Sequence, residues 1–539
     1  MLGASAMALP MVAMRAEAAA AQVAPGPQGS LVVNPQAGAT PPPPAPRALP
    51  APTPVQPVAP PSAPAVPRPA PLAIQPLRGE LPDAPVDPRF QDGARTRDGV
   101  LPAPSNDPMA IDPEADPILR LARASGDLAG FQAAIQAAVS RHPSVDEVVA
   151  RQDEALAARN EARTLQYPVV DVSMTYFNIL TRNFSNDPQN VLERSRPRER
   201  TDQLLRIQQP ILDFGTSNAR IEAGNQRLAA ATSTIDDVSA QLALRGVQAW
   251  YQVFGFRALV GLSEAFLANQ TDLRAAIDDR IAQGVSAPGD KAQVESYIAA
   301  AQTQLAGFKR SLATAEAQFT QITGNPPPPQ LGRAPAAQGP AITRERAMAD
   351  AETIPAVEAA RRQAEAARFD LKAAKGDSLP GVSVGVDTGR YGFFENSGDY
   401  DVRGSVTLSH RFFGGAKQRI DQSAARARGA EATYSRVREE AARDAAIAWS
   451  DVQALAESAE AIEANYVATR QSRDVLVERF RVARGTLFDV LGAETNYFNV
   501  ATRYIETVTE LDIARYALLA RTGKLLDSFG IAPARVETK

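Results

Sequence analysis

The chain is built twice. Its two tryptophans, Trp250 and Trp449, lie 199 residues apart, each preceded by Ala. The same offset carries Arg220-Ile221 onto Arg419-Ile420, Gly215 onto Gly414 and Thr323-Gly324 onto Thr522-Gly523. It also carries Arg280 onto Arg479 and Asp290 onto Asp489. Upstream the offset is 212, taking Pro143 onto Pro355 and Pro168 onto Pro380. The copies therefore differ in length only between Pro168 and Gly215, a span of 47 steps in the first and 34 in the second. Two copies are too few to bury a solenoid core. Duplication of so long a unit points instead to the pseudo-symmetry of ring-forming or membrane proteins.

Composition removes several classes of function. A net charge of −4 offers no basic surface to nucleic acid. No cysteine is present, so disulfides, thiolate metal sites, cysteine nucleophiles and a lipidated N-terminal Cys are excluded. Two histidines leave little material for acid–base or zinc chemistry, and no P-loop or Ser-His-Asp set stands out. We therefore expect no cofactor and no enzyme. Beyond the N-terminus no run of 18 apolar residues occurs, which excludes a transmembrane helix but not a transmembrane barrel.

The first residues, MLGASAMALPMVAMRAEAAAA, join an apolar stretch to small residues of the A-x-A type, and 1–21 read as a secretory signal. No Lys or Arg precedes its apolar part. Residues 22–118 are dominated by Pro and Ala, with 28 of the 43 prolines at or before Pro117. Such a segment cannot pack a core and is expected to be a disordered tether or spacer. The first repeat then spans 119–330, the second 331–530, and 531–539 form a tail.

Within the repeats prolines nearly vanish. None lies between Pro210 and Pro288 or between Pro380 and Pro533, and good helix formers fill the gaps. One helix is expected from Thr216 to about Gln283, with Gly224, Gly246, Gly255 and Gly261 as soft points. At 1.5 Å per residue it would reach roughly 100 Å. Its counterpart runs from Ala416 to Val482, and return helices follow over Pro288–Ile322 and Thr486–Gly523. Leu487, Leu491, Phe498, Ala501, Ile505, Val508, Leu511 and Leu518 recur at coiled-coil steps.

Between the helices the period becomes two. Val170, Val172, Met174 and Tyr176 alternate with polar residues, as do Leu205 and Ile207, Val382, Val384 and Val386, then Val402, Val406 and Leu408. Polar loops, 181–201 (with Arg194, Arg196, Arg198 and Arg200) and 388–399, join the strands of each pair. Each repeat thus reads long helix, strand, loop, strand, very long helix, tight turn, return helix. Four strands cannot close a barrel, and open edges are not tolerated in lipid. If the apolar face meets lipid, several chains must share one barrel. Three give 12 strands and an open lumen.

Three segments carry a family resemblance: SRHPSVDEVVARQDEALAARNEARTLQYPVVDVS, QQPILDFGTSNARIEAGNQRLAAA and FRVARGTLFDVLGAETNYFNVATRYIETVTELDIARYALLARTG. In that order and duplicated, they resemble the TolC-type outer membrane factors over about residues 125–525. The resemblance implies an α+β membrane protein, a homotrimer with a shared 12-stranded β-barrel in the outer membrane. Long antiparallel coiled-coil helices would form an α-barrel through the periplasm. It implies a periplasmic adaptor protein and an inner-membrane ABC or proton-driven transporter as partners, with lipid around the barrel. The second-repeat segment RGTLFDVLGAETNYFN resembles the type I protein-secretion branch slightly more than the drug-efflux branch. The rival from another class is a soluble coiled-coil scaffold.

By the same resemblance the two helix–helix turns are adaptor-binding tips. In the first, Arg280, Gly284, Val285 and Ser286 are the candidates; in the second, Arg479, Val482, Ala483 and Arg484. Asp290 and Asp489 are candidates for an acidic entrance ring favouring cations. This chain departs from the family with Gly492 where a further carboxylate often stands and Ala483 in place of a frequent Gly. A local reading also stands: Gly284 simply ends a helix, and Arg280 pairs with Asp290. Asp278-Asp279 read as a solvated face, His142 as a helix entry, His410 as a strand end, and Trp250, Tyr251 and Trp449 as inter-helix packing.

Overall fold

In the computed structural model, proline and glycine punctuation sets nearly every boundary. It describes residues 108–109, 116–123, 126–185, 188–335, 337, 342–395 and 398–532. The expected signal, almost all of the Pro/Ala segment and residues 533–539 of the tail lie outside the described residues.

The first repeat opens with α1 (Pro117–Arg123), α2 (Leu128–Arg141) and α3 (Pro143–Thr164). A strand pair follows, β1 (Val169–Asn178) and β2 (Glu199–Leu212), with the short α4 (Val191–Ser195) in the loop between them. Then come α5 (Thr216–Ala282) and α6 (Pro288–Thr323). The second repeat holds α7 (Arg344–Ala351), α8 (Pro355–Gly376), β3 (Gly381–Tyr391), β4 (Asp399–Ser409), α9 (Ala416–Arg481) and α10 (Leu487–Arg521). The last element is α11 (Leu525–Ser528).

The long first helix expected in each repeat is in fact two. Pro143 and Pro355 sit in the first turn of α3 and α8, where a missing N–H costs nothing, and the chain bends just before each. His142 caps α3, its Nδ1 accepting from the Ser144 N–H at 3.3 Å. The single long helix expected from Thr216 is α5, and it is continuous through all four glycines. Three of them are places of close approach. A Cβ at Gly224 would come within 3.2 Å of the Arg159 backbone, one at Gly246 within 2.9 Å of Ile135, and one at Gly255 within 3.2 Å of Thr509.

The four strands form one antiparallel sheet in the order β1-β2-β3-β4, so the junction between repeats is the β2–β3 ladder. Strands run further than the alternating pattern suggested. Arg200 and Thr201 belong to β2, and β3 continues to Tyr391, because polar residues extend the ladders toward the loops. Register keeps the faces apart. Val170 faces Ile207, Ile207 faces Val386, and Val384 faces Val406 on one side. On the other, Asp171, Arg206, Asp387 and Arg403 form one rung, with Arg206 Nε 2.8 Å from Asp387. The apolar face is bare: Val172 is 68% exposed, Val406 76% and Leu408 71%.

The helices bury what the sheet does not. Phe131, Trp250, Tyr251, Phe319, Tyr516 and Phe529 pack in one cluster, and Phe266, Tyr466, Tyr497, Phe498 and Tyr504 in a second. A third, nearest the α5–α6 and α9–α10 turns, holds Leu273, Ile277, Val294, Val477, Phe480, Leu487 and Leu491. Both tryptophans pin the segment that joins the repeats. Trp250 Nε1 donates to the Gly332 carbonyl at 3.0 Å and Trp449 Nε1 to the Ile342 carbonyl at 2.8 Å. Tyr251 and Tyr516 hydroxyls add bonds to the carbonyls of Ala334 and Pro335. Replacing either tryptophan by Phe keeps an aromatic ring and removes one bond. Each change is expected to cost about 1–2 kcal/mol, read as a lower thermal midpoint of the helical circular dichroism signal.

Candidate functional site: the paired helical turns

The α5–α6 and α9–α10 turns have the same backbone. In the first, Gly284 is left-handed with φ 73°, and the Arg280 carbonyl accepts from Val285 N–H at 2.8 Å and Ser286 N–H at 3.3 Å. In the second, Ala483 takes the left-handed place at φ 59°, and the Arg479 carbonyl accepts from Arg484 N–H at 2.8 Å. Both are left-handed helix ends that satisfy last-turn carbonyls. Val482 closes α9 through its N–H to the Glu478 carbonyl. Gly284, Val285, Ala483 and Arg484 are exposed, and Ser286 and Val482 partly so.

The side chains break the symmetry that the backbone keeps. Arg280 reaches across to the other repeat, its guanidinium 4.4 Å above the Phe480 ring and its Nη1 3.3 Å from the Phe480 carbonyl. Its counterpart Arg479 is exposed. The local reading of Arg280 with Asp290 is not what forms. Asp290 accepts from its own helix start, the Ala287 N–H at 3.2 Å, while Lys291 pairs with Asp278 across the turn at 2.9 Å. Asp489 does the same more completely: Thr486 N–H and hydroxyl donate to its carboxylate at 3.3 and 2.7 Å, and the Thr486 oxygen accepts from Asp489 N–H. That is a full capping box; Ala287 lacks the oxygen to complete the first. Both candidate ring carboxylates thus hold a helix N-terminus.

The sequence reading missed a buried ionic layer between the tip cluster and the next. Arg473 and Asp474 are fully buried, with Arg473 Nε 2.6 Å from Asp474 and Nη1 3.2 Å from Glu494. Its guanidinium also lies 4.4 Å above the Tyr497 ring. Tyr466 and Tyr497 share a hydroxyl bond of 2.9 Å, and Tyr466 reaches Asp116, which also pairs with Arg470. Burial alone would lower the Arg473 pKa, but Glu494, Tyr497 and Asp474 outweigh it and raise it. Burial likewise raises both tyrosines, which stay protonated. A signal was present in the repeat: Leu267, Ala275 and Ile298 of the first copy become Tyr466, Asp474 and Tyr497 in the second. Among the described residues no cluster of His, Asp and Glu could hold a metal ion, and no helix is long and apolar enough to cross a membrane.

A left-handed Ala is strained by about 1–2 kcal/mol relative to Gly. Ala483→Gly is therefore expected to slow amide hydrogen exchange across 479–486 while leaving the first turn unchanged. Arg280→Ala is expected to speed exchange in both turns, because its contact spans them.

Known proteins agree with this architecture. The family model described as "Outer membrane efflux protein" matches residues 134–325 and 351–524. Outer membrane efflux protein BepC of Brucella suis biovar 1 (strain 1330) is 23% identical over 338 residues, which is 61% of this chain and 74% of BepC. The outer membrane protein VceC of Vibrio cholerae superposes with TM-score 0.64 at 19% identity, over 73% of this chain and 96% of VceC. The CmeC outer membrane channel of Campylobacter jejuni superposes with TM-score 0.66 at 13% identity, over 74% of this chain and 86% of CmeC. The exposed apolar sheet, the duplicated long helices and the family match together make this chain a member of the outer membrane efflux protein family, an outer-membrane factor of the TolC type.

Proposed function

We propose that three copies form the exit duct of a tripartite export system, its sheets pooled into a 12-stranded barrel and its helices extending into the periplasm. The observation that carries this reading is the sheet itself. One face is apolar and exposed, the other carries the Asp171–Arg206–Asp387–Arg403 rung, and both outer edges are unpaired within the chain. In lipid such edges need partners. Exposed aromatics at the strand-to-helix junctions, Phe214, Phe412 and Phe413, suit an interfacial girdle. The repeats, 119–330 and 331–530, would each supply two staves and one tip. The 1–21 leader would direct export, and the Pro/Ala-rich stretch would be a tether that ends before 116. Asp116 and Ile118, expected to fall within 22–118, are packed against α9 and α10.

At the far end, Arg280, Gly284, Val285 and Ser286 with Arg479, Val482, Ala483 and Arg484 form the adaptor-docking surface. The adaptor would link the duct to an inner-membrane ABC or proton-driven transporter. Asp290 and Asp489 line the entrance. The cargo reading is type I protein secretion, supported by the RGTLFDVLGAETNYFN segment. Small-molecule efflux is the second reading, supported by the name of the curated relative.

Four measurements test this. Heat-modifiable trimers in the outer-membrane fraction are expected, and a detergent-free soluble monomer would overturn the duct. Deleting the gene should abolish release of a secreted protein; loss of drug resistance with an unchanged secretome favours efflux instead. Asp489→Asn keeps an oxygen for the Thr486 cap and removes the charge. In planar bilayers it is expected to weaken divalent-cation blockade, and unchanged blockade would leave Asp489 as a cap alone. Arg280→Glu with Arg479→Glu is expected to abolish adaptor cross-linking without loss of trimer.

A further inference from the structure

The two open edges of the sheet are a matched pair, and the chain records how they meet. This inference rests on the trimeric-duct reading and adds to it the register of the seam. Within the chain, the first repeat already meets the second through β2 and β3. That ladder pairs Gln209 with Val384, Ile207 with Val386 and Leu205 with Thr388. Moving β2 onto β4 by 199 and β3 onto β1 by 212 gives the equivalent junction between copies.

We propose that β4 of one copy pairs antiparallel with β1 of the next in this transposed register. Leu408 then faces Val172, Val406 faces Met174 and Gly404 faces Tyr176 on the apolar side. On the polar side Ser409 faces Asp171, Thr407 faces Ser173, Ser405 faces Thr175 and Arg403 faces Phe177. No like charges meet, and every pair keeps its face. The Gly404 pairing is the most telling. A Cβ there would meet nothing within 4 Å in the single chain, an open notch that the Tyr176 ring of the neighbour covers.

Barrel geometry supports the same choice. The one register in this range that sets opposite charges across the seam puts Asp171 against Arg403, extending the internal rung straight round. That closes the sheet with no stagger, which a barrel of tilted strands cannot have. The chain already staggers internally. The rung from Asp171 through Arg206 arrives at Asp387, whereas the repeat counterpart of Asp171 is Ser383, four residues short. In the proposed seam the rung leaves Arg403 for Phe177, six residues beyond Asp171. Three copies make a shear of about 18 over 12 strands, a tilt of about 45° and within what barrels adopt.

The absence of native cysteine permits a clean test in the full chain. Ser173→Cys with Thr407→Cys is expected to give covalent dimers and trimers in denaturing gels after mild oxidation. Two control pairs report other registers, the adjacent one through Ser173→Cys with Ser405→Cys and the unstaggered one through Ser173→Cys with Asp401→Cys. Both are expected to cross-link at least tenfold less. Heat-modifiable migration before oxidation shows that each variant has assembled. A trimer cross-linked through a control pair, or through none, overturns the register and leaves the duct standing. Absence of any trimer before denaturation overturns the assembly itself.

Discussion

Backbone hydrogen bonding without water is the constraint from which the other features follow. A chain that places four strands in hydrocarbon satisfies three ladders by itself and leaves two edges open. No side chain can repair an open edge in lipid, so closure must come from more chain. The duplication then has a physical role. Two strand pairs of like design meet at β2–β3 inside one molecule, and the same surfaces can meet again between molecules. The polar rung facing away from the apolar surface is tolerable only where water or paired charge receives it, as in a lumen.

The helical part meets a different difficulty. The 67-residue α5 buries residues along its whole length, but over its first half most are small, Ala219, Ala223, Gly224, Ala230 and Ser239 among them, and give no strong grip. It is held in separate stations instead. Aromatic clusters grip it near Trp250 and near Phe266, and glycines admit neighbouring helices against its backbone. Inter-helix ion pairs such as Arg220–Asp377 and Arg257–Glu316 lie along its length, each worth little while exposed. The buried Arg473–Asp474–Glu494 layer is of another kind. Removing one partner strands a buried charge, so it specifies how α9 and α10 sit on each other more than it strengthens them.

Much of this was legible in the sequence because one-dimensional signals decide it. Proline-free spans flanked by Pro and Gly set α5, α6, α9 and α10 to within two residues, and alternation located all four strands. The entry at His142 was legible from the proline that follows it, and α3 begins there. What could not be read was anything requiring two distant segments at once. Arg280 finds Phe480 two hundred residues away, and Asp116 finds Tyr466 and Arg470 across the whole chain. Asp290 and Asp489 were read as charges facing a pore. Their oxygens accept from groups three residues back, the Ala287 N–H for Asp290 and the Thr486 hydroxyl and N–H for Asp489, so local capping engages them first.

The repeats are alike in backbone and unlike in chemistry, and that difference bears on docking. Both turns carry a left-handed residue followed by an exposed one, so both present the same shape. Arg280, however, is committed to Phe480, while Arg479 is exposed. A binding helix approaching the first turn finds a small glycine and the apolar Val285. At the second it finds Ala483 and two exposed arginines, Arg479 and Arg484. Three chains would therefore present six similar turns of two alternating kinds. An adaptor ring contacting all six must either offer two kinds of contact or bind three strongly. Only the second turn is joined to the buried ionic layer by its own two helices, so strain applied there reaches Glu494 along α10 and Arg473 along α9. Docking at the first turn reaches that layer only through the Arg280–Phe480 contact.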